Sequence, residues 1–154
     1  SMGTSSILRS RAVGFLRTPV VPYLALNLIP PEVTAQMSLS PSMGNFAHIT
    51  ERDVASYAMP LRDAAAAHAL IITAQRIVPE NLPDLVRRYP SISQPTLLIW
   101  CRKDPIVPLV TGVSLNRMLP HASLRIIDGC VHVPTEEAAA ETLMHMQMFL
   151  AGHR

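Results

Sequence analysis

Two short apolar runs of strand length, separated by one helical pattern, restrict the fold of this chain more than any other feature. Thr96–Trp100 reads Thr-Leu-Leu-Ile-Trp, and Ser123–Ile127 is a second strand candidate. A continuous apolar run is typical of a strand that is buried on both faces of a parallel sheet. Between the runs, Leu109–Leu119 is an amphipathic helix pattern that Pro120 ends. This order predicts two parallel strands joined by a right-handed crossover.

A closing helix follows the second run. Glu136–Leu150 has the pattern of a helix, with Thr135 as its N-cap and with Glu136 and Glu137 in the first turn, where negative charge is favourable. The predicted order is therefore strand, helix, strand, helix, and the fold class is α/β. We place this α/β part of the chain at residues 91–154.

The chain before Pro90 has a different pattern, with short helices separated by prolines. Such a pattern is typical of a mobile cap, which we place at residues 7–90, after a start at 1–6 in which Ser1-Met2 resembles the remnant of a tag. A capping box at Thr50 and Asp53 should begin one of these helices. The predicted helices are Ile7–Leu16, Pro19–Leu28, Glu32–Leu39, Thr50 to about Ala58, Pro60 to about Val78, and Leu82–Arg88 with Asn81 as its cap.

Composition excludes several classes of function. The chain has 154 residues, 49% of them hydrophobic and 16% charged, which indicates a folded protein and not a disordered one. A net charge of +2 with scattered basic residues gives no sign of nucleic-acid binding. No apolar stretch approaches the roughly 20 residues that cross a membrane. The histidines show no ligand spacing, so we expect no metal and no cofactor.

Two cysteines, Cys101 and Cys130, indicate the compartment. They do not form a disulfide framework, and they fit a reducing environment. They lie at the ends of strands that should be adjacent, so they could approach each other, but we interpret them as small buried thiols. The expected location is therefore cytoplasmic.

One acidic residue and one histidine follow the two predicted strands. Asp104 comes four residues after the first strand, and His132 comes five residues after the second. The carboxyl ends of neighbouring parallel strands meet at one edge of a sheet, so both side chains should lie there. A carboxylate beside a histidine fixes the imidazole tautomer and stabilises the imidazolium, as in a nucleophilic triad. Alternatively, Asp104 is only a turn residue before Pro105.

The segments around these two residues resemble the closing motifs of α/β-hydrolase-fold esterases and lipases. Pro95–Pro108 reads P-T-L-L-I-W-C-R-K-D-P-I-V-P, and Asp128–Glu137 reads D-G-C-V-H-V-P-T-E-E. The resemblance implies that Asp104 is the triad acid and His132 the triad base. It extends from about Thr50 to Leu150 and weakens toward the N-terminus. Two residues depart from the motifs, since Cys101 and Val131 stand where the family commonly has glycine.

The same motifs occur in esterases, thioesterases, epoxide hydrolases, dehalogenases and C–C hydrolases, so they do not identify the substrate. The resemblance implies a small-molecule acyl substrate and a serine hydrolase. The cap side chains Met37, Leu39, Met43 and Met59 either line an acyl pocket or only pack the cap.

The nucleophile that the family requires is not found in this sequence. It normally stands in a G-x-S-x-G turn between a strand and a helix, ahead of the acid and the histidine. The nearest match is Ser40-Pro41-Ser42-Met43-Gly44, in which no strand is predicted before Ser42, so we expect Ser42 not to be the nucleophile. The fold is then incomplete without an N-terminal half. The chain would be a truncated form, a proteolytic product, a swapped homodimer or one part of a two-chain assembly.

Two functional hypotheses follow. In the first, the parent protein is a serine hydrolase whose Asp104 and His132 work with a serine from outside this sequence, and the chain alone is inactive. In the second, the chain is a non-catalytic truncated relative that acts as an interaction module through its exposed sheet edge.

Overall fold

The computed structural model describes residues 28–43 and 49–153, and these fall into two compact units. The first unit holds residues 28–41 and 49–80, and the second holds 42–43 and 81–153. The predicted helix Ile7–Leu16, nearly all of Pro19–Leu28 and the predicted start at 1–6 lie outside the described residues. The units divide at Glu80 and Asn81, ten residues before the boundary predicted between cap and catalytic domain.

The first unit is helical. Its described elements are α1 (Pro31–Ser42), whose last residue is grouped with the second unit, α2 (Glu51–Ala58), a 3-10 turn (Met59–Arg62) and α3 (Ala64–Gln75). The predicted capping box is present at the start of α2. The Asp53 backbone N–H donates to Thr50 Oγ1 at 3.2 Å, and the Thr50 backbone N–H donates to Asp53 Oδ2 at 2.8 Å. The buried side chains of this unit are Ala35, Leu39, Ala58 and Ile71.

The helix predicted from Pro60 to about Val78 is wrong at its start. Residues after Pro60 form only a 3-10 turn, and Asp63 then adopts an extended conformation with φ −92° and ψ 121°. Its carboxylate accepts a hydrogen bond from the Ala66 backbone N–H at 2.8 Å. Aspartate at an N-cap satisfies one of the unpaired N–H groups of the first turn, so Asp63 begins a new helix here.

The second unit contains the predicted parallel strands. Its elements are α4 (Leu82–Arg88), a 3-10 turn (Tyr89–Ser91), β1 (Thr96–Cys101), α5 (Leu109–Met118), β2 (Ala122–Ile127), α6 (Pro134–Glu137) and α7 (Ala139–Ala151). β1 and β2 pair in parallel, with Thr96 opposite Ala122 and Cys101 opposite Ile127. The strand–helix–strand prediction is confirmed, and both strands end at the same edge of the sheet.

The core of this unit lies at the carboxyl ends of the strands. Cys101, Ile127 and Cys130 are buried there, with Ile99 and Ala138 packed against them. Most other strand residues are only partly buried, although the sequence predicts burial on both faces. The sheet has two strands in the described part of the chain, so each strand has a neighbour along one edge only.

The closing helix differs from the prediction, because it is interrupted at Ala138. Thr135 lies inside the short helix α6 and not at an N-cap, and α6 begins directly after Val133. Pro134 at the first helical position already has the φ angle of a helix, which favours this earlier start. The Thr142 hydroxyl donates to the Pro134 carbonyl at 2.8 Å and connects α6 to α7. In the described ranges, no helix is long and apolar enough to cross a membrane.

Candidate active site

The loop after β1 holds the side chain of Asp104 in place. Asp104 Oδ1 accepts hydrogen bonds from the backbone N–H groups of Ile106 and Val107, each at 2.8 Å. The indole N–H of Trp100 donates to the Val107 carbonyl at 2.8 Å, so the strand is connected to the same loop. The ring of Trp100 also packs closely against Gly112 on α5. Asp104 is therefore held by both its neighbours in the loop and the strand behind it.

The loop after β2 carries His132. Its ring Nδ1 lies 2.8 Å from Asp104 Oδ2. The side chain of Asp104 is 6% exposed and that of His132 is 28% exposed, so the carboxylate lies beneath a partly accessible ring. The structure thus brings together the two residues that the sequence singles out.

The hydrogen-bond pattern determines the tautomer of His132. A carboxylate oxygen can only accept, so Nδ1 of the neutral ring donates to Asp104 and the lone pair lies on Nε2. In the part of the chain that the structure describes, Nε2 makes no hydrogen bond. This arrangement can take a proton at Nε2 from a nucleophile and stabilise the imidazolium that results.

Three further connections join the two loops. The Arg102 backbone N–H donates to the Ile127 carbonyl at 2.9 Å and extends the strand pairing by one residue. The Arg102 side chain forms an exposed ion pair with Asp128, and this hydrogen bond lowers the pKa of the Asp128 carboxyl below its usual value. Cys101 and Cys130 form a disulfide with a Cα–Cα distance of 5.3 Å.

The interpretation of the cysteines as free thiols is wrong in this structure. Parallel pairing places Cys101 opposite Ile127, and the chain turns after Ile127 so that Cys130 comes back beside Cys101. Their Cα separation lies in the range that a disulfide needs. The sequence indicated that the two could approach each other, but composition alone favoured the reduced form.

The sequence also singled out Ser42, four cap side chains and the absence of a metal site. Ser42 is the last residue of α1, so a helix and not a strand precedes it, and Gly44 lies outside the described residues. Of the proposed pocket side chains, Leu39 is buried in its own unit, Met37 and Met59 are exposed, and Met43 is half-buried. Within residues 28–43 and 49–153, no group of three or more His, Cys, Asp or Glu side chains is placed to hold a metal ion.

Sequence reasoning missed the role of Glu137. Its carboxylate accepts hydrogen bonds from the backbone N–H groups of three consecutive residues, Val131, His132 and Val133, at 2.8–3.1 Å. The sequence placed Glu137 only in the first turn of a helix, as a favourable charge. The available signal was its position in the histidine motif, five residues after His132.

Comparison with known proteins finds sequence relatives among hydrolases and lipases. No family model matches the chain. It is 37% identical over 54 residues to a 2-hydroxy-6-oxononadienedioate/2-hydroxy-6-oxononatrienedioate hydrolase of Pseudomonas putida, a match that covers 35% of the chain and 19% of that enzyme. It is 26% identical over 78 residues to Lipase 3 of a Moraxella species, which covers 51% of the chain and 25% of the lipase.

Solved structures give the fold. An α/β hydrolase from a Medee basin metagenome library superposes with a TM-score of 0.69 at 15% identity, over 92% of this chain and 52% of that one. A thermophilic esterase from Thermogutta terrifontis superposes with a TM-score of 0.63 at 16% identity, over 99% of this chain and 52% of the esterase. The chain has the α/β-hydrolase fold and is related to the α/β-hydrolase superfamily. It spans about half the length of these structures.

Proposed function

We propose that Asp104 and His132 are the acid and the base of a Ser-His-Asp triad in a serine hydrolase that cleaves carboxylic esters or related acyl substrates. The observation that carries the proposal is the 2.8 Å contact between His132 Nδ1 and a buried Asp104 carboxylate. This contact leaves the lone pair of Nε2 available to accept a proton. Hydrolase and lipase relatives and an esterase-like fold support the same class of reaction.

The geometry supports the following roles for the two residues in this proposal. His132 Nε2 removes the proton of the attacking serine and later gives it to the leaving alcohol, so it acts first as base and then as acid. Asp104 holds the ring in the tautomer that this needs and stabilises its positive charge. In deacylation, Nε2 takes a proton from the attacking water in the same way.

The serine itself is proposed to come from outside these 154 residues. A nucleophile in this superfamily follows a strand, whereas Ser42 follows a helix. The chain also matches about half of its structural neighbours. We therefore propose that a complementing N-terminal half supplies the serine and the oxyanion hole, with the helical unit as a cap over the substrate.

Hydrolysis of a carbon–carbon bond is the second candidate. Two relatives with 37–39% identity over 54–62 residues are named as hydrolases of 2-hydroxy-6-oxo dienoic acids. These identities are higher than the 26–28% shared with the two lipases. The same dyad serves either reaction, so the substrate pocket decides between them.

The experiment compares two proteins. The first is the 154-residue chain, and the second is this chain joined to any in-frame upstream sequence that encodes a strand followed by G-x-S-x-G. Each is assayed with p-nitrophenyl esters of increasing acyl length and with a 2-hydroxy-6-oxo dienoate. We expect no turnover and no fluorophosphonate labelling of the short chain, and turnover by the long one. The preferred substrate then distinguishes the ester from the carbon–carbon reaction.

Variants of the long protein test the assignment of the base. His132→Ala should reduce kcat about 10⁴-fold or more, the loss typical of a missing triad member. The matched control is His121→Ala, because His121 is an exposed histidine at the turn before β2. Full activity in His132→Ala would exclude the proposal. An endogenous protein with the mass of 154 residues would favour the non-catalytic interaction module instead.

The compartment is tested separately. A cytoplasmic location remains our proposal from the sequence, but the Cys101–Cys130 disulfide is a bond that persists in oxidising compartments and that cytosolic thiols reduce. Thiol labelling of the endogenous protein under denaturing conditions, without reductant, measures this. Labelling of both Cys101 and Cys130 supports the cytoplasm, and labelling of neither supports an oxidising compartment.

A further inference from the structure

The carboxylate of Glu137 lies at the centre of the histidine loop. Val131 N–H donates to both of its oxygens, at 3.1 and 3.0 Å, and the N–H groups of His132 and Val133 each donate to Oε1 at 2.8 Å. Three consecutive backbone N–H groups that converge in this way form an anion-binding concavity. In this chain a side chain of the protein occupies it.

The position of Glu137 shows that this is not an ordinary helix cap. The three donors are the residues immediately before α6, whereas Glu137 is the last residue of α6. The Glu137 backbone N–H donates to the Val133 carbonyl at 2.9 Å, so side chain and backbone close a ring of bonds around residues 131–133. The carboxylate therefore holds the backbone of His132 and of the residues on either side of it.

Helix α7 holds the start of α6, the short helix that carries Glu137. The Thr142 side chain is almost fully buried, and its hydroxyl donates to the Pro134 carbonyl at 2.8 Å. Its backbone N–H donates to the Ala138 carbonyl at 2.9 Å. A rigid turn thus carries Glu137, and Glu137 in turn holds the backbone of His132.

We propose that Glu137 is a positioning residue that orders the backbone of residues 131–133 and so keeps the His132 ring against Asp104. Hydrogen bonds to an ionised acceptor are stronger than those between neutral groups, so the negative charge matters as well as the shape. This assignment deepens the proposed function, because it concerns the same histidine, but the contacts that support it do not depend on any reaction.

The test uses NMR spectroscopy on the full 154-residue chain. The low-field resonance of the His132 Nδ1 proton reports its hydrogen bond to Asp104, and amide exchange of residues 131–133 reports the bonds to Glu137. In Glu137→Ala we expect the Nδ1 proton resonance to be lost and these amides to exchange about tenfold faster or more. Glu137→Gln keeps one acceptor oxygen without the charge, so it should show intermediate exchange and recover part of the resonance.

Two references make the result decisive. Glu141→Gln removes the same charge from α7, where Glu141 contacts His145 at 3.8 Å, and should leave the His132 resonance unchanged. Amide exchange in the β1–β2 pairing reports whether the unit stays folded. An unchanged His132 resonance in a folded Glu137→Ala variant would overturn the proposal. Unfolding of the pairing in both Glu137 variants would overturn it too, because Glu137 would then stabilise the whole unit.

Failure of this proposal and failure of the proposed function are distinguishable. If Glu137 controls the His132 resonance while the long protein hydrolyses no substrate, the positioning role stands and the triad does not. If the long protein is an active hydrolase while the His132 resonance is unchanged in Glu137→Ala, the proposed function stands and the positioning role does not.

Discussion

Cys101 at the end of β1 and Cys130 in the loop after β2 are joined covalently, three residues before Asp104 and two residues before His132. The bond lies in the buried cluster at the carboxyl ends of the strands. Cys101 stands where the motifs of related hydrolases commonly have glycine. The disulfide therefore connects the acid and the histidine through a short path that does not pass through the rest of the sheet.

Removal of this bond should destabilise the second unit. The sequence separation of 29 residues corresponds to a loss of about 3–4 kcal/mol in the free energy of unfolding, from loop-closure entropy in the unfolded chain. Urea unfolding of the Cys101→Ser, Cys130→Ser double variant measures it. A reductant should lower the stability of the wild-type chain and leave the double variant unchanged. Equal midpoints for the oxidised and reduced wild-type chains would contradict this prediction.

Asp104→Asn should invert the tautomer of His132. The N–H groups of Ile106 and Val107 both need an acceptor, so the oxygen of the introduced amide would face them and its NH₂ group would face His132. Nδ1 would then accept, and the proton would move to Nε2. Nitrogen-15 NMR of the imidazole in the 154-residue chain distinguishes the two tautomers.

The same substitution also has an expected effect on catalysis. In the long protein of the proposed function, kcat should fall about 10⁴-fold, as the wrong tautomer does in serine proteases. Asp84→Asn is a suitable control, because Asp84 lies on α4 and pairs only with Arg87 among the contacts described. An unchanged Nδ1–H signal in Asp104→Asn would show that the two backbone N–H groups do not fix the amide.

The sequence predicted the strands and the candidate dyad because their signals are local. Apolar runs of strand length need only a few residues, and Asp104 and His132 are placed by their distance from the strand ends. The disulfide and Glu137 could not be predicted in this way. Both depend on how the chain turns after β2, which brings Cys130 back to Cys101 and three N–H groups to one carboxylate. The N-cap role of Asp63 was missed because the alanines that follow it continue the helical pattern predicted from Pro60.

Gly112 should not tolerate a side chain. A Cβ atom added there would lie 2.7 Å from two carbon atoms of the Trp100 ring, which is closer than packed atoms approach. Overpacking of this kind costs about 1–3 kcal/mol, more than the roughly 1 kcal/mol that alanine contributes over glycine in a helix. Because Trp100 also holds Val107, the strain should reach the Asp104 loop.

Thermal or urea unfolding of Gly112→Ala measures this effect, and Gly129→Ala is the matched control. A Cβ atom at Gly129 meets nothing within 4 Å, so that variant should change stability by no more than about 0.5 kcal/mol. A Gly112→Ala chain as stable as the control would show that α5 can move away from the ring.

The capping box at Thr50 should make the start of α2 sensitive to acid. The hydrogen bonds from the Thr50 hydroxyl and backbone N–H lower the pKa of Asp53 below its ordinary value of 3.8. Because the folded pKa is the lower one, the stabilisation is fully present above the ordinary value and is lost as the pH falls through the folded pKa.

Thr50→Ala should raise the pKa of Asp53 toward 3.8 and reduce the helicity of α2 at neutral pH. Carbon-13 NMR of the Asp53 carboxyl measures its pKa, and the backbone Cα shifts of α2 measure its helicity. The control is Ser56→Ala, which removes a hydroxyl elsewhere on α2. An identical titration of Asp53 in Thr50→Ala and Ser56→Ala would exclude the Thr50 hydroxyl as the cause.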